Sequence, residues 1–584
     1  MTLLRILEKF RRILSRHQKM RILELAVLMI VGSFMEMLSV SLILPFVKAV
    51  MSPESVMANA YVQMLCRALS IESHRTFLVF LALVMALLYI LKNCFLLFQL
   101  TVQHRFVYNN MFTIQQKLLQ GYLSRPYEYF LGVKSGEVFR VIGNDTEEAF
   151  KMLTEILFLF SELVVSGSLL ITIFIVSPTM TVEMAVLLLA LTLLIQKLIR
   201  PVLKKAGQMS QKAYAGMNQW LFQAIQGIKE VKLMGCENYF EKNFERDGRL
   251  YVRTRYQNQT LSIIPRFMIE AVMMCIFFVL IAVMIYRGAE FEYIIPILSG
   301  MAMAAVRLLP SVNRISASMA EISFGEPAVD KMIENLRELS DYHVEYKGKG
   351  SSLKEKQKLN LLSDQIELSH ITYRYPAGEK NILEDASMKI KKGMSVGIVG
   401  ASGVGKTTVA DIFLGLLNPQ KGRVLVDGVD IQTNIEGWIS QIGYIPQSIF
   451  MLDGNIKENV AFGILDEDID EGMVWTALKE AAMDEFVKSL PEGLHTQLGE
   501  RGIRLSGGQR QRIGIARALY LNPSVLFFDE ATSALDNETE TAIMDSINHL
   551  HGTKTMVIIA HRLTTIAGCD EVYRVENKGI QIEK

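Results

Sequence analysis

The sequence predicts a multi-domain protein in which a helical transmembrane domain is followed by an α/β domain. Half of the 584 residues are hydrophobic, and the first part of the chain contains apolar stretches of bilayer-spanning length, about 20 residues. Beyond Ile366 short strands alternate with helices, which is typical of an α/β domain. In that second part a glycine-rich loop lies between a strand and a helix, where a phosphate-binding loop is expected.

The transmembrane domain is predicted at 1–325. Apolar stretches occur at roughly 22–47, 76–100, 154–176, 180–199 and 262–286, and a weaker one at about 292–320. The sixth is weaker because it contains prolines and arginines. Lys and Arg concentrate before the first stretch and in the long connections after the second and fourth, so the positive-inside rule places these segments and both termini in the cytosol.

The composition narrows the classes of protein further. The formal net charge of +1 gives no sign of a nucleic-acid partner. The five cysteines are scattered and form no Cys-x-x-Cys pair, so we expect neither a disulfide framework nor a zinc site, and a reducing compartment. The segment 326–365 is rich in Lys, Glu, Asp and Ser, which predicts a solvated linker before the C-terminal domain at 366–584.

The segment 52–70 has a pattern of its own. After a Ser-Pro-Glu start, apolar residues recur at helical spacing. This pattern predicts a short amphipathic helix at the outer membrane surface. Two roles are open for it: a packed loop helix without a direct role, or a contact for a lipid tail.

The loop Gly400–Thr407 has the residue types that phosphate binding requires. Its glycines allow backbone N–H groups to surround phosphates at a helix N-terminus, where the helix dipole favours anions. Lys406 would place its positive charge beside the β- and γ-phosphates, and the Thr407 hydroxyl would ligate Mg²⁺. The predicted nucleotide-binding residues here are Gly400, Ala401, Ser402, Gly403, Val404, Gly405, Lys406, Thr407 and Thr408.

A second strand, Val525–Phe528, ends in the carboxylates of Asp529 and Glu530. Asp529 would hold Mg²⁺, and Glu530 would accept a proton from an attacking water or orient it. An Asp-Glu pair after a strand is common on protein surfaces. The phosphate-binding loop upstream makes a catalytic pair the better interpretation.

The motif Leu505–Gln509, Leu-Ser-Gly-Gly-Gln, follows the phosphate-binding loop in the chain. The two motifs in this order resemble the ATP-binding cassette (ABC) family. The resemblance covers nearly the whole chain and implies a type IV exporter half-transporter, with six transmembrane helices followed by an α/β P-loop ATP-binding cassette domain that hydrolyses ATP with Mg²⁺. It also supports the sixth stretch as a span. A second copy of the chain would complete the transporter; a different partner chain is the alternative.

The resemblance implies roles for further residues. Tyr375 would stack on adenine, Gln447 would contact Mg²⁺ and the attacking water, and His561 would contact the γ-phosphate. With Glu530, Gln447 and His561 form the predicted catalytic set. The residues implied to bind the ATP held by the opposite subunit are Ser506, Gly507, Gly508, Gln509 and Asp536.

The two long basic connections are predicted to extend the transmembrane helices into the cytosol. The family resemblance implies short coupling helices near 127–135 and 214–225 that contact the ATPase domain. The alternative is a pair of ordinary cytosolic loops, but ordinary loops are rarely this long.

Three arginines in the last two spans bear on the substrate. Arg307 and Arg314 are two helical turns apart and share one face. A cation within a span faces a cavity or a partner, because lipid exposure costs roughly 2.5–3.5 kcal/mol or more. Arg266, Arg307 and Arg314 are therefore candidate contacts for an anionic head group. Arg266 and Arg314 lie near the cytosolic ends of their spans, so a structural role is equally open for them, and Arg266 has Glu270 one turn away.

The membrane domain further resembles the PglK-type lipid-linked oligosaccharide flippases. The patterns that carry this resemblance are Glu36 with Ser39–Pro45, Ile264–Arg266 with Glu270, Arg307–Arg314, and the outer amphipathic helix. It implies ATP-driven movement of a polyprenyl-pyrophosphate glycan from the inner to the outer leaflet of a bacterial cytoplasmic membrane.

Two alternatives remain open at this level, and a third fails. Exporters of drugs, other lipids or peptides use the same ATPase residues. A soluble ABC-type ATPase that acts on DNA or ribosomes does not explain the six apolar stretches. An ATP-gated channel or regulator is the other open alternative, and the intact Glu530 argues against it only weakly.

Overall fold

The computed structural model describes residues 15–42, 73–176, 178–286, 291–340, 362–376, 378–530, 550–560 and 566–583, with the isolated residues Glu8, Phe10, Arg11, Phe46, Val50 and Met64. The chain divides into two units. The first comprises 1–125 and 133–345, and the second comprises 126–132 and 346–584. The amphipathic helix predicted at 52–70 lies outside the described residues, apart from Met64.

The first unit is helical in its described part. Its helices are α1 Arg16–Ser41, α2 His74–Leu123, α4 Ser135–Arg140, α5 Thr146–Val176, α6 Pro178–Gln226, α7 Ile228–Met234, α8 Glu237–Tyr286 and α9 Phe291–Ser340. The six predicted apolar stretches fall on α1, α2, α5, α6, α8 and α9, with α1 covering the first stretch as far as Ser41. One buried core lies where α5, α6, α8 and α9 meet, and it includes Val165, Ile195, Leu203, Ile269 and Ala320.

Several helices have the properties of membrane spans. Within the described residues, Arg16–Ser39, Arg75–Leu123 and Glu237–Val283 are long and apolar enough to cross a bilayer. Four apolar side chains of α2 that follow one another at intervals of three or four residues are each more than half exposed: Val79, Leu83, Leu87 and Ile90. Their spacing places them along one helix face. An apolar face of this kind is favourable in contact with lipid and unfavourable in contact with water.

The predicted linker begins too early. The sequence predicts it from 326, whereas α9 continues to Ser340. The charged residues of this stretch alternate with Val329, Met332 and Ile333, which are all buried. This helical spacing of apolar residues gives α9 a buried face beyond its apolar stretch, so the helix continues.

Of the two predicted coupling helices, the structure has a short helix at the first position but not at the second. Near 127–135 the chain forms a short helix, α3 Tyr127–Gly132. The second prediction, near 214–225, is wrong in position, because those residues continue α6 without a break. The short helix α7 comes after them, between Gly227 and Gly235, and Gly235 ends it in the left-handed conformation with a φ of +61°.

The second unit combines two sheets with short helices and includes α3. Its strands are β1 Gln365–Tyr373, β2 Leu383–Lys391, β3 Ser395–Val399, β4 Lys421–Val426, β5 Val429–Asp430, β6 Ile442–Ile445, β7 Val525–Asp529, β8 Thr555–Ile559, β9 Glu571–Glu576 and β10 Gly579–Ile582. Its other helices are α10 Lys406–Phe413, α11 Ile435–Ile439, α12 Ile456–Val460, α13 Glu471–Glu480, α14 Asp484–Ser489 and α15 Gly507–Leu519.

The larger sheet has the order β10-β9-β3-β8-β7-β6, and the smaller has the order β2-β1-β4-β5. In the larger sheet β9, β3, β8, β7 and β6 are parallel, whereas the smaller sheet is antiparallel. Strands β3 and β8 consist of residues that are all buried, as expected of central strands covered on both faces. The prediction of a helical membrane domain followed by an α/β domain is thus confirmed.

A buried carboxylate lies directly before the start of α5. Asp145 ends a single π-helical turn, Val141–Asp145, and is inaccessible to solvent. Arg140 Nε donates to its Oδ2 at 3.2 Å, and Gln211 Nε2 donates to its Oδ1 at 3.4 Å. Burial nevertheless raises the pKa of Asp145 to about 6, because the lost hydration outweighs the attraction of Arg140.

This raised pKa predicts a pH-dependent stability. The folded state binds the Asp145 proton more tightly than the unfolded chain, whose aspartate has a pKa of about 3.9. The free energy of unfolding therefore falls as pH rises from about 4 through 6. We expect Asp145→Asn to reduce the fall in melting temperature between pH 5 and pH 7. The exposed Glu147 provides the control variant, Glu147→Gln. An unchanged pH slope in Asp145→Asn would contradict the assignment.

Candidate active site

The central constraint on this site is the parallel order β3-β8-β7. The glycine-rich loop follows the carboxyl end of β3, and Asp529 is the last residue of β7. Carboxyl ends of parallel strands share one edge of the sheet, where α/β proteins bind their ligands. Only β8 separates the two strands, so the loop and the carboxylates start about 10 Å apart, which is two strand spacings.

The loop has the backbone conformation that the sequence predicts for phosphate binding. Gly403 and Gly405 have φ values of +81° and +107°, which favour glycine. A Cβ at Gly405 would come within 2.8 Å of the Ile382 side chain. Helix α10 begins at Lys406, so the loop lies at a helix N-terminus that favours anions.

Lys406 is folded into the loop. Its Nζ donates to the carbonyl oxygens of Gly400 at 2.9 Å and Ala401 at 3.0 Å, and the residue is buried. These two carbonyls hold the ammonium group beside the loop amides. A phosphate bound by the amides would therefore find a cation already in place.

The carboxylates at the end of β7 have separate partners. Gln447 Nε2 donates to Glu530 Oε2 at 2.7 Å, and the Tyr444 hydroxyl donates to Asp529 Oδ2 at 3.3 Å. The Glu530 backbone N–H bonds to the Ile559 carbonyl at the end of β8, at 3.0 Å. Glu530 also has a φ of +50°, an uncommon conformation for a non-glycine residue that is found at functional sites. Two of the three predicted catalytic residues, Glu530 and Gln447, are thus in direct contact.

A third carboxylate, which the sequence prediction missed, lies nearby. Burial and the charge of Asp529 raise the pKa of Asp411 to about 6. Burial also raises the pKa of Asp529, with a further contribution from Glu530. Asp411 lies one turn after Thr407 on α10, and this i, i+4 spacing was the available signal. The site therefore concentrates negative charge where a cation would be favourable.

The predicted adenine-stacking residue lies beside the loop helix. The Tyr375 hydroxyl and the Thr408 hydroxyl are 3.0 Å apart. The Tyr375 ring also meets the Tyr373 ring edge to face, with centroids 5.1 Å apart. This anchors Tyr375 next to the helix that carries the phosphate-binding loop, a position that suits stacking on the base of a bound nucleotide.

The Leu-Ser-Gly-Gly-Gln motif forms the start of α15. The Gln509 backbone N–H donates to Ser506 Oγ at 3.2 Å, and the Ser506 N–H donates to Gln509 Oε1 at 2.8 Å, which is a capping box. Ser506 and Gly507 are exposed. In the described part of the chain no hydrogen bond joins this motif to the phosphate-binding loop.

Two of the predicted ATP-site residues, Asp536 and His561, lie outside the described residues. The other predicted residues of the site are all in the second unit. The structure brings Tyr375, the loop residues 400–408, Gln447, Asp529 and Glu530 to one region, and it places the motif 506–509 at a separate helix start.

The predicted substrate arginines lie on the helices of the first unit. Arg307 lies on α9, seven residues before Arg314. Arg314 Nη1 is 3.3 Å from Glu162 Oε2 of α5, and the Arg314 side chain is 69% exposed. Arg266 is exposed on α8, and within the described residues it forms no ion pair with Glu270. Arg314 therefore already has a carboxylate partner.

Lys92 of α2 is a further cation, which was not predicted as a site residue. It lies in the middle of the apolar stretch of α2, where a single lysine was the available signal. Its Nζ is 5.1 Å from the ring centroid of Tyr89, within range of a cation–π interaction. The Tyr89 hydroxyl bonds to the Ser39 carbonyl of α1 at 3.4 Å, so Lys92 lies close to the face of α2 that packs on α1.

Two family models match the chain. The model described as ABC transporter matches residues 383–533, and the model described as ABC transporter transmembrane region matches residues 22–303. Together they cover most of the chain. The first includes the phosphate-binding loop, the Leu-Ser-Gly-Gly-Gln motif and the carboxylates of β7.

Curated relatives cover most of the chain as well. A multidrug resistance ABC transporter ATP-binding and permease protein from Lactococcus lactis subsp. lactis is 28% identical over 77% of this chain and 75% of its own length. An ATP-dependent lipid A-core flippase from Methylobacillus flagellatus is 28% identical over 79% of this chain and 77% of its own length.

A solved structure of a bacterial Atm1-family ABC exporter with ATP bound has the same fold. The TM-score is 0.76 at 23% identity, and the match covers 96% of this chain and 94% of that one. The predicted fold and the predicted ATP-hydrolysing transporter are both confirmed by these matches.

The contact between Gln447 and Glu530 leads to a test of the catalytic role predicted for Glu530. Glu530→Gln retains a side chain of the same shape but removes the carboxylate that would accept a proton, so ATP hydrolysis should fall by about 100-fold or more. ATP binding should persist, because the loop and Lys406 are unchanged. Phosphate release and binding of a fluorescent ATP analogue would be measured separately.

The exposed Glu467 provides the matched control, since Glu467→Gln makes the same change away from the sheet edge. Hydrolysis in Glu530→Gln at the rate of Glu467→Gln would show that another group activates the water.

Proposed function

The chain belongs to the ABC transporter family, and we propose that it is a homodimeric flippase for an anionic lipid-linked oligosaccharide. In this proposal a polyprenyl-pyrophosphate glycan moves from the inner to the outer leaflet of the cytoplasmic membrane. Both termini and the ATPase domain lie in the cytosol, where the basic connections of the sequence place them. ATP hydrolysis drives the movement.

The observation that carries the proposal is the presence of cations within apolar helices. Arg307 lies on α9 and Lys92 on α2, each in a stretch predicted to span the membrane. Cations at such positions are costly unless they face a cavity or a partner. A pyrophosphate supplies several anionic oxygens, which arginine and lysine bind through charge-assisted hydrogen bonds.

The ion pair of Arg314 makes this residue a weaker candidate for substrate binding. Glu162 partly neutralises Arg314, so an anionic substrate would have to compete with a carboxylate for that guanidinium. Arg266 lies at an exposed position on α8, near the predicted cytosolic start of its span. Arg307 lies seven residues before Arg314 on α9 and thus further from the predicted cytosolic end of the span. We therefore take Arg307 as the principal proposed substrate contact, Lys92 as the second, and Arg266 and Arg314 as secondary.

The residues of the ATP site fit Mg²⁺. Thr407 offers a hydroxyl and Asp529 a carboxylate, and Gln447 offers Oε1 because its Nε2 already donates to Glu530. A set of oxygen donors beside nucleotide phosphates is what Mg²⁺ prefers. The metal would neutralise the charge concentrated at Asp411, Asp529 and the phosphates.

The second copy is proposed from the position of the Leu-Ser-Gly-Gly-Gln motif. Ser506 and Gly507 form an exposed helix start, and a Cβ at Gly507 would meet no atom within 4 Å. Such a surface suits the phosphates of an ATP molecule held by another chain. Two-fold symmetry would form two such sites from two copies; a heterodimer is the alternative.

Export of drugs is the second candidate function. The Lactococcus relative is named for multidrug resistance and has the same identity to this chain as the lipid A-core flippase. The cations at 92 and 307 favour an anionic substrate. An apolar drug would gain nothing from them.

The proposal is tested by reconstitution. Purified protein in liposomes that contain a polyprenyl-pyrophosphate oligosaccharide should move that lipid between leaflets when ATP is added, and Glu530→Gln protein should not. Accessibility of the glycan to an external lectin would measure the movement. ATP hydrolysis without movement of the glycolipid would reject the substrate and leave the motor intact.

The substrate site is tested by Arg307→Ala and Lys92→Ala. Loss of one charge-assisted contact should lower the rate of flipping about tenfold and should abolish stimulation of ATPase activity by the glycolipid. The matched control is Arg249→Ala, because Arg249 is an exposed arginine of α8 paired with Glu245. Equal flipping by all three variants would refute the cationic site.

A further inference from the structure

The segment Pro126–Gly132 belongs to the second unit, although it lies between helices of the first unit in the sequence. It contains α3, and it is covalently continuous with α2 on one side and α4 on the other. Any displacement of this segment relative to the ATPase domain would therefore act on the end of a 50-residue helix, α2. The contacts that hold the segment decide when it moves.

One hydrogen bond joins α3 to the end of a strand. The Tyr373 hydroxyl donates to Glu128 Oε1 at 3.0 Å. Tyr373 is the last residue of β1 and is inaccessible to solvent, whereas Glu128 is half-buried. Burial and the Glu128 carboxylate raise the pKa of Tyr373 above its ordinary value, so the hydroxyl keeps its proton and donates at physiological pH.

The same tyrosine contacts the nucleotide site through its ring. The rings of Tyr373 and Tyr375 meet at 85° with centroids 5.1 Å apart, a favourable edge-to-face geometry. Tyr375 bonds in turn to Thr408, two residues after Lys406. A continuous set of contacts thus leads from the phosphate-binding loop through two tyrosines to Glu128.

The electrostatics of Tyr127 agree with this position of α3. Tyr127 lies next to Glu128, and burial together with the carboxylate of Asp411 raises its pKa above the ordinary value. Asp411 lies on α10, the helix that starts with Lys406. The charge carried by the loop helix thus acts on this segment as well.

We propose that Tyr373 is a positioning residue that couples occupancy of the nucleotide site to the segment Pro126–Gly132 through its hydroxyl. A nucleotide stacked on Tyr375 constrains that ring, the Tyr373 ring packed against it is constrained in turn, and the bond to Glu128 is then held in one geometry. Phenylalanine at 373 would fill the same space and keep the ring contact, but it would not hold α3. The inference depends on ATP binding at this site and not on the identity of the substrate.

The test is hydrogen–deuterium exchange in the full chain, embedded in lipid nanodiscs and carrying Glu530→Gln so that ATP stays bound. We expect ATP with Mg²⁺ to slow amide exchange in the segment 126–132. Tyr373→Phe should reduce that ATP-dependent slowing by about tenfold, the effect of losing a hydrogen bond to a charged group. A purely structural role would change exchange equally with and without ATP.

The matched control is Tyr573→Phe. Tyr573 is another buried tyrosine of the same domain, and its hydroxyl bonds to the Lys389 carbonyl and to Glu571. Its loss should leave the ATP response of the segment 126–132 unchanged. Glu128→Ala removes the acceptor of the same hydrogen bond and should reproduce the effect of Tyr373→Phe. Because Glu128 is only half-buried, this second variant tests the proposal even if Tyr373→Phe folds poorly. A full ATP response in both Tyr373→Phe and Glu128→Ala would overturn the proposal.

Discussion

The parallel order β3-β8-β7 is the constraint on which the rest of the ATP site depends. It places the phosphate-binding loop and the pair Asp529–Glu530 at one edge of the sheet, separated by a single strand. The loop supplies a cation and backbone amides, and the pair supplies charge that repels phosphate until a metal is present. Lys406 is held by its own loop carbonyls, and Glu530 is held by Gln447. The site is therefore organised before nucleotide binds, which lowers the cost of reaching the reactive geometry.

Much of this site was predictable because its chemistry is local in the sequence. Glycines at 403 and 405 indicate a loop with positive φ, and the apolar run before Asp529 indicates a buried strand. Asp411 was missed because its role arises from a strand that is distant in sequence, and the contact of Tyr373 with Glu128 spans 245 residues. The end of α9 was misplaced because charged residues were read as a linker, while the buried face of Val329 and Met332 shows up only when the helical period is followed.

The membrane half shows the same limit of sequence reasoning. Hydropathy located the helices, since a bilayer imposes a length and a composition on them. It did not locate partners: Glu162 lies on α5, far in sequence from Arg314 on α9, and it changes the interpretation of that arginine. Lys92 was overlooked because it lies within an apolar run, although a single cation in such a run is itself a signal of a functional site.

The central claim is that ATP is held between two copies of this chain, with the loop of one facing Ser506 of the other. The most direct measurement uses mixed dimers of an unmodified chain and an affinity-tagged Lys406→Ala chain, trapped with ADP and vanadate and irradiated. Vanadate can occupy only the unmodified loop, and light cleaves the backbone beside it. We predict cleavage of the tagged chain at Ser506. Cleavage confined to the unmodified chain would contradict a site shared between copies.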